Sequence, residues 1–209
     1  MDSATTTALT DRAARLVRPG RRAILGICGA PGAGKSALTT KIVKRLRSAG
    51  VEAAHVPMDG FHLADAALRE RGRLDAKGAI DTFDAHGYLA LLRRLRAETD
   101  HDVLAPGFER TLEQPLAAAI IVPPGTSIVV TEGNYLLDAD EPWPDVRAEL
   151  DEVWFVDLDE GRRRSRLVDR HVTFGKDRAA AQSWVDDVDE PNARRVVARR
   201  DEADLVVES

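Results

Sequence analysis

Cysteine, methionine and aromatic residues are scarce in this chain: one cysteine, two methionines and 5% aromatics in 209 residues. With Cys28 alone, no internal disulfide can form, and its place in an apolar run suits core packing better than a reactive thiol. The histidines, at 55, 62, 86, 101 and 171, lack metal-ligand spacing, which argues against a zinc site. No apolar run approaches the length of a membrane span, and Met1-Asp2-Ser3-Ala4-Thr5 has neither the basic start nor the apolar middle of a signal peptide. The expected location is therefore cytoplasmic. Charge of one sign is also missing: 30 basic against 35 acidic residues give a net charge of -5. This offers no general attraction to nucleic acid or anionic membrane, and neither is expected as a partner. Repeats, low-complexity tracts and linkers are absent as well. What remains is 44% hydrophobic and 31% charged, enough to bury the core of a single α/β domain over residues 1–209.

The pattern of elements alternates. A leading helix over 3–17 closes at Pro19-Gly20. Ala23 to Cys28 reads as a buried strand, and Ala37-Leu38, Ile42-Val43 and Leu46 recur at helical spacing up to Gly50. A strand from Glu52 to Pro57 precedes a polar, Gly-punctuated stretch, 58–84, whose weak periodicity marks a substrate-covering segment rather than a connector. Tyr88 to Arg96 is helical, and short strands around Val103-Leu104 and Ala119–Val122 flank a turn-rich Pro106–Arg110. Ser127 to Thr131 and Val153 to Val156 are strands, the first β-branched enough to be buried on both faces. An Arg-rich helix over about 160–172, helices near 179–188 and 191–200, and a strand from Ala203 to Val207 complete the chain. This order predicts a central parallel sheet with helices on both faces and ligands at the strand C-termini.

Gly29-Ala30-Pro31-Gly32-Ala33-Gly34-Lys35-Ser36 fills every fixed position of G-x-x-x-x-G-K-[ST], between a predicted strand and helix. Such a loop, with Ala37 opening the helix, wraps nucleotide phosphates with backbone N–H groups at a positive helix end. Lys35 is expected to reach the β and γ phosphates, and Ser36 to ligate Mg²⁺. Asp59, just past the second strand, lies at the same sheet edge and is the candidate base that orients an acceptor hydroxyl and takes its proton. Glu132, ending the most hydrophobic strand, is a second acid for Mg²⁺ or the acceptor. Arg162, Arg166 and Arg170 share a helix face; Arg166 and Arg170 are read as a lid over the triphosphate, whereas Arg162 to Arg164 are read as a solvated face. Trp143, Trp154 and Trp184 are assigned to packing.

Taken in order, GAPGAGKS at 29–36, MDGFH at 58–62, KGAIDTFDA at 77–85, PGFER at 106–110, TEGNYLL at 131–137, RLVDRH at 166–171 and DEPNARRV at 189–196 resemble the phosphoribulokinase/uridine kinase family of P-loop kinases. The resemblance runs from about Arg22 to the C-terminus. It implies a P-loop NTPase three-layer sandwich with an Arg-rich lid over 160–178, ATP and Mg²⁺ as cofactors, and phosphoryl transfer to a small-molecule alcohol; a homodimer is compatible with it. By similarity Asp59 is the catalytic aspartate, Lys35 and Ser36 the phosphate and magnesium residues, Glu132 the second acid, and Arg166 and Arg170 the lid arginines. Phe61, His62, Phe83, Arg110 and Tyr135 fall where relatives line the acceptor pocket. Two departures stand out, Ile80 where such relatives are expected to have Pro and Glu109 where they have Asp. A nucleoside is the first expected acceptor, then a sugar or pantothenate-like alcohol. The rival reading is a nucleotide-dependent switch or assembly factor, against which the absence of a guanine-reading N-K-x-D sequence counts.

Overall fold

The β-branched run predicted to be a buried strand lies next to the centre of the sheet. The computed structural model describes residues 3–209. Its main sheet has five parallel strands in the order β2 (Ala53–Pro57), β5 (Ile128–Gly133), β1 (Ala23–Cys28), β6 (Glu152–Asp157) and β7 (Leu205–Glu208). Every residue of β1 and β5 is buried, as uninterrupted apolar strands in a covered parallel sheet require.

Alternation along each strand feeds two cores. Ala23, Leu25 and Ile27 pack with Ile128, Val130 and Trp154 against α1 (Ser3–Ala14) and α2 (Lys35–Ser48) through Leu9, Ala13, Leu38, Ile42 and Leu46. Ile24 and Cys28, with Val129, Val153 and Phe155, face α4 (Ala85–Ala97) and α5 (Trp143–Ala148) through Tyr88, Leu92, Leu95, Trp143 and Val146. The result is the predicted three-layer arrangement. Burial pushes the Cys28 thiol up to about 11, as befits a core cysteine.

Register brings the functional ends together. Pro57 on β2 pairs with Glu132 on β5, and Cys28 on β1 pairs with Gly133. The chain therefore leaves β1 into the glycine loop, β2 into Met58-Asp59 and β5 into Gly133-Asn134 at one level of one sheet edge. This is the crevice beyond strand C-termini where open α/β sheets bind ligands.

Several elements differ from expectation. The strands predicted around 103–104 and 119–122 are longer, β3 (Val103–Glu109) and β4 (Gln114–Val122), and form an antiparallel hairpin outside the main sheet. Pro106 and Gly107 lie inside β3, where the register shifts between Ala105 and Gly107; at such a bulge the missing proline N–H costs no ladder bond. A Cβ on Gly60 would stand 2.4 Å from the Pro106 carbonyl oxygen, so this hairpin presses on the turn that carries Asp59. The 58–84 segment contains α3 (Asp65–Glu70) between short 3₁₀ turns, closed at its base by Leu63 N–H to Thr82 O and Asp84 N–H to Phe61 O. The segment expected to be a lid, 160–178, holds α6 (Glu160–Thr173) and the start of α7 (Arg178–Trp184); a π turn at Val185–Asp189 and α8 (Glu190–Val197) follow, and Leu167, Val168, Ala181 and Val185 form a small cluster that ties α6 to them. Among the described residues no helix is long and apolar enough to cross a membrane.

Candidate active site

The glycine loop is shaped by close approach. Gly32 and Gly34 adopt φ of 80° and 102°, a region that favours glycine. A Cβ on Gly32 would meet Leu167 at 2.8 Å and the Arg163 carbonyl oxygen at 3.0 Å, so α6 of the lid rests directly on the loop. Helix α2 opens at Lys35 with no side-chain cap. Its first N–H groups thus remain available to an anion. The buried Lys35 ammonium donates to Gly29 O (2.9 Å), Ala30 O (3.2 Å) and Asn134 Oδ1 (2.6 Å). Burial lowers its pKa, while Glu132 and Asp59 work to raise it.

Two carboxylates flank this lysine. Ser36 Oγ donates to Glu132 Oε1 at 2.8 Å, and His55 Nε2 stands 3.8 Å from the same oxygen, an electrostatic contact rather than a formed hydrogen bond. Burial alone would raise the Glu132 pKa, but His55, Lys35 and Ser36 outweigh it and hold the group below the usual range, hence ionised. Asp59 is shifted the other way. Burial and the Glu132 charge raise its pKa, opposed by Arg110, whose Nη2 lies 3.5 Å from Asp59 Oδ2, and by Lys35 and Arg170. Neighbouring carboxylates pushed apart in this way suit different roles, an anion and a proton acceptor.

A cavity of about 1020 Å³ joins these groups. Pro31, Gly32, Gly34, Lys35, Ser36 and Ala37 form its floor, while Gly29, Ala30 and Ala33 lie outside the lining, the two alanines being buried. Asp59, Glu132, His62 and Arg110 line it, as do Arg166 and Arg170 from α6, which have no carboxylate partner among the described residues. Phe61, Phe83 and Tyr135 do not line it. Phe61 packs on Tyr88 at 5.3 Å, Phe83 lies beneath His62 at 4.0 Å, and the Tyr135 hydroxyl donates to Gly78 O at 2.6 Å. These three shape the wall from behind. His62, also 5.0 Å from the Phe108 ring, has its pKa pushed down to about 3 by burial and by Lys77 and Arg110, so it is a neutral imidazole with an unpaired, buried Nδ1.

Two expectations are corrected. Arg163 does not belong to a solvated face: it is buried, donating to Glu190 Oε1 at 2.6 Å and to Pro31 O at 3.4 Å, because the helix face that meets the loop needs a cation for the buried Glu190. Trp184 is only half-buried and lines the cavity, with the Lys176 ammonium 4.4 Å from its ring centre, whereas Trp143 and Trp154 are buried as expected. Sequence reasoning assigned no role to Asn134 or His55, although Asn134 directly follows Glu132-Gly133 at the sheet edge. Glu109 lies outside the cavity lining; its carboxylate accepts from the Thr111 N–H (3.0 Å) and hydroxyl (2.8 Å), holding the hairpin turn.

The model of the phosphoribulokinase/uridine kinase family matches residues 24–209. A candidate uridine kinase of Schizosaccharomyces pombe is 34% identical over 176 residues, 80% of this chain and 74% of that one. The uncharacterized protein YggC of Escherichia coli (strain K12) is 33% identical over 199 residues, 94% of this chain and 81% of that one. Among solved structures, a candidate fructose transport system kinase from Silicibacter sp. TM1040 superposes with a TM-score of 0.88 at 34% identity, over 97% of this chain and 98% of that one. With the glycine loop, the sheet order and the matched length in agreement, the chain belongs to the phosphoribulokinase/uridine kinase family of P-loop kinases.

Proposed function

We propose that the protein is an ATP- and Mg²⁺-dependent cytoplasmic kinase that transfers a phosphoryl group to the hydroxyl of a small molecule, a nucleoside first, then a sugar or pantothenate-like alcohol. The observation that carries this reading is the convergence of the glycine loop, Asp59, Glu132, Arg166 and Arg170 on one cavity. The residues fit both cofactors. The loop presents an uncapped helix start and a buried ammonium, which suit phosphate oxygens. Ser36 and Glu132 offer adjacent hard oxygen donors suited to Mg²⁺. Among the described residues no cluster of three His, Cys, Asp or Glu forms a metal cage; Mg²⁺ needs none, since it keeps several waters and is held by one or two protein oxygens plus phosphate.

When bound, ATP and Mg²⁺ supply the transferable phosphoryl group and neutralise part of its charge. The protein's own work is positioning, proton transfer and exclusion of water. Asp59, with its raised pKa, accepts the hydroxyl proton as the bond to phosphorus forms. Arg110 beside it orients that carboxylate, while Lys35, Arg166 and Arg170 provide positive charge to the equatorial oxygens. The lid, resting on Gly32, keeps water from the transferring group. His62 and Arg110 line the acceptor half.

Asp59→Asn separates proton transfer from binding. Turnover with a productive acceptor is expected to fall by roughly 10²–10⁴-fold, while ATP affinity measured by calorimetry stays within a few-fold. Equal losses in both would show that Asp59 serves binding rather than chemistry.

A further inference from the structure

We propose that His55 is a positioning residue for Glu132, fixing the rotation of its carboxylate so that one oxygen is kept for the cation of the nucleotide. Glu132 is buried and ionised, yet among the described residues its only hydrogen bond is the one Oε1 accepts from Ser36. One bond leaves a carboxylate free to swing about its stem. His55 is placed to supply the second restraint. It lies on β2 opposite Val130, two residues before the Pro57 that pairs with Glu132, and so comes alongside β5 from the neighbouring strand.

Its Nε2 is buried and has no hydrogen-bond partner, and the carboxylate oxygen that faces it is Glu132 Oε1, 3.8 Å away. An orphaned buried nitrogen beside a buried carboxylate is a donor in reserve. Ser36 and His55 thus converge on Oε1. Oε2 accepts no hydrogen bond from the described residues and belongs to a residue that lines the cavity. His55 also borders a second, outer groove lined by Thr40, Lys44 and Ile120. A packing role there would make no distinction between nucleotide with and without metal. Outer partners of this kind typically change metal affinity by about 10–100-fold.

The inference rests on the kinase reading only in placing Mg²⁺ beside Ser36 and Glu132. Its test needs no acceptor: calorimetric binding of ADP, with and without Mg²⁺, to the intact protein, His55→Leu and His55→Gln, with melting temperatures measured alongside. We expect Mg²⁺ to strengthen ADP binding in the native protein, the gain to shrink about tenfold in His55→Leu with Mg²⁺-free affinity unchanged, and His55→Gln, which retains a donor of similar reach, to restore most of it. A full Mg²⁺ gain in His55→Leu, or equal losses with and without Mg²⁺, would overturn the role of His55 alone. No Mg²⁺ gain in the native protein would overturn the metal site itself, and the proposal with it.

Discussion

Two sets of arginines on one helix differ in the company they keep. On α6, Arg163 meets Glu190 at 2.6 Å, both side chains buried, and Arg164 pairs with Asp186 and, at 3.5 Å, with Glu190. Arg166 and Arg170, on the cavity side of the same helix, have no acid partner among the described residues. Elsewhere some half-buried arginines are matched as well, Arg195 with Asp138, Arg200 with Asp157 and Arg96 with Asp151, whereas the fully buried Arg22 is satisfied by backbone carbonyls, among them those of Thr126 and Leu95. On α6 the two cavity-side cations share their cavity with a buried lysine, an uncapped helix start and a pair of carboxylates, a set organised around an anion supplied from outside. The lesson is that residue type and helical face did not separate structural from functional arginines. Pairing did.

This contrast can be broken at three points. Removing a cavity cation should have the largest effect: Arg170→Ala is expected to lower kcat on the order of 10³-fold with the melting temperature unchanged, since no internal partner is lost. Loss of stability without loss of turnover would move Arg170 to the structural set. Arg163→Ala should do the opposite. It leaves the buried Glu190 with only its longer contact to Arg164, at a cost of up to about 3 kcal/mol, read as a lower urea midpoint, and it loosens the seat of the lid on Pro31 and Gly32. An unchanged midpoint would show that the pair contributes nothing. The smallest change is expected from Arg164→Ala, an exposed pair whose loss should leave both melting temperature and kcat close to native; a large kcat effect there would undo the division altogether.

The same distinction explains how far the sequence could be read. Apolar runs with helical or uninterrupted spacing gave the five sheet strands and the main helices to within a few residues, because the hydrophobic pattern that buries them is local. The glycine loop, Asp59 and Glu132 were legible because each ends a strand whose register is fixed by the sheet. Less legible was whatever depended on a partner far along the chain. Arg163 looks like its neighbours until Glu190 arrives from α8. Asn134 and His55 gain meaning only when β5 brings them beside Lys35 and Glu132. Phe61, Phe83 and Tyr135 fall in the right motifs but point behind the wall, since His62 and Gly78 intervene. In β3, Pro106-Gly107 reads as a turn because the bulge that accommodates it is a property of the pairing rather than of the dipeptide.

The account rests most heavily on phosphoryl transfer to a small alcohol, and its most direct test is ADP formation from ATP with Mg²⁺ across nucleosides, sugars, sugar acids and pantothenate. Lys35→Ala and Asp59→Asn serve as controls. The account predicts a strong acceptor-dependent rate that disappears in both variants. Slow ADP formation indifferent to every acceptor and unchanged in Asp59→Asn would contradict it and leave a nucleotide-dependent switch as the better description.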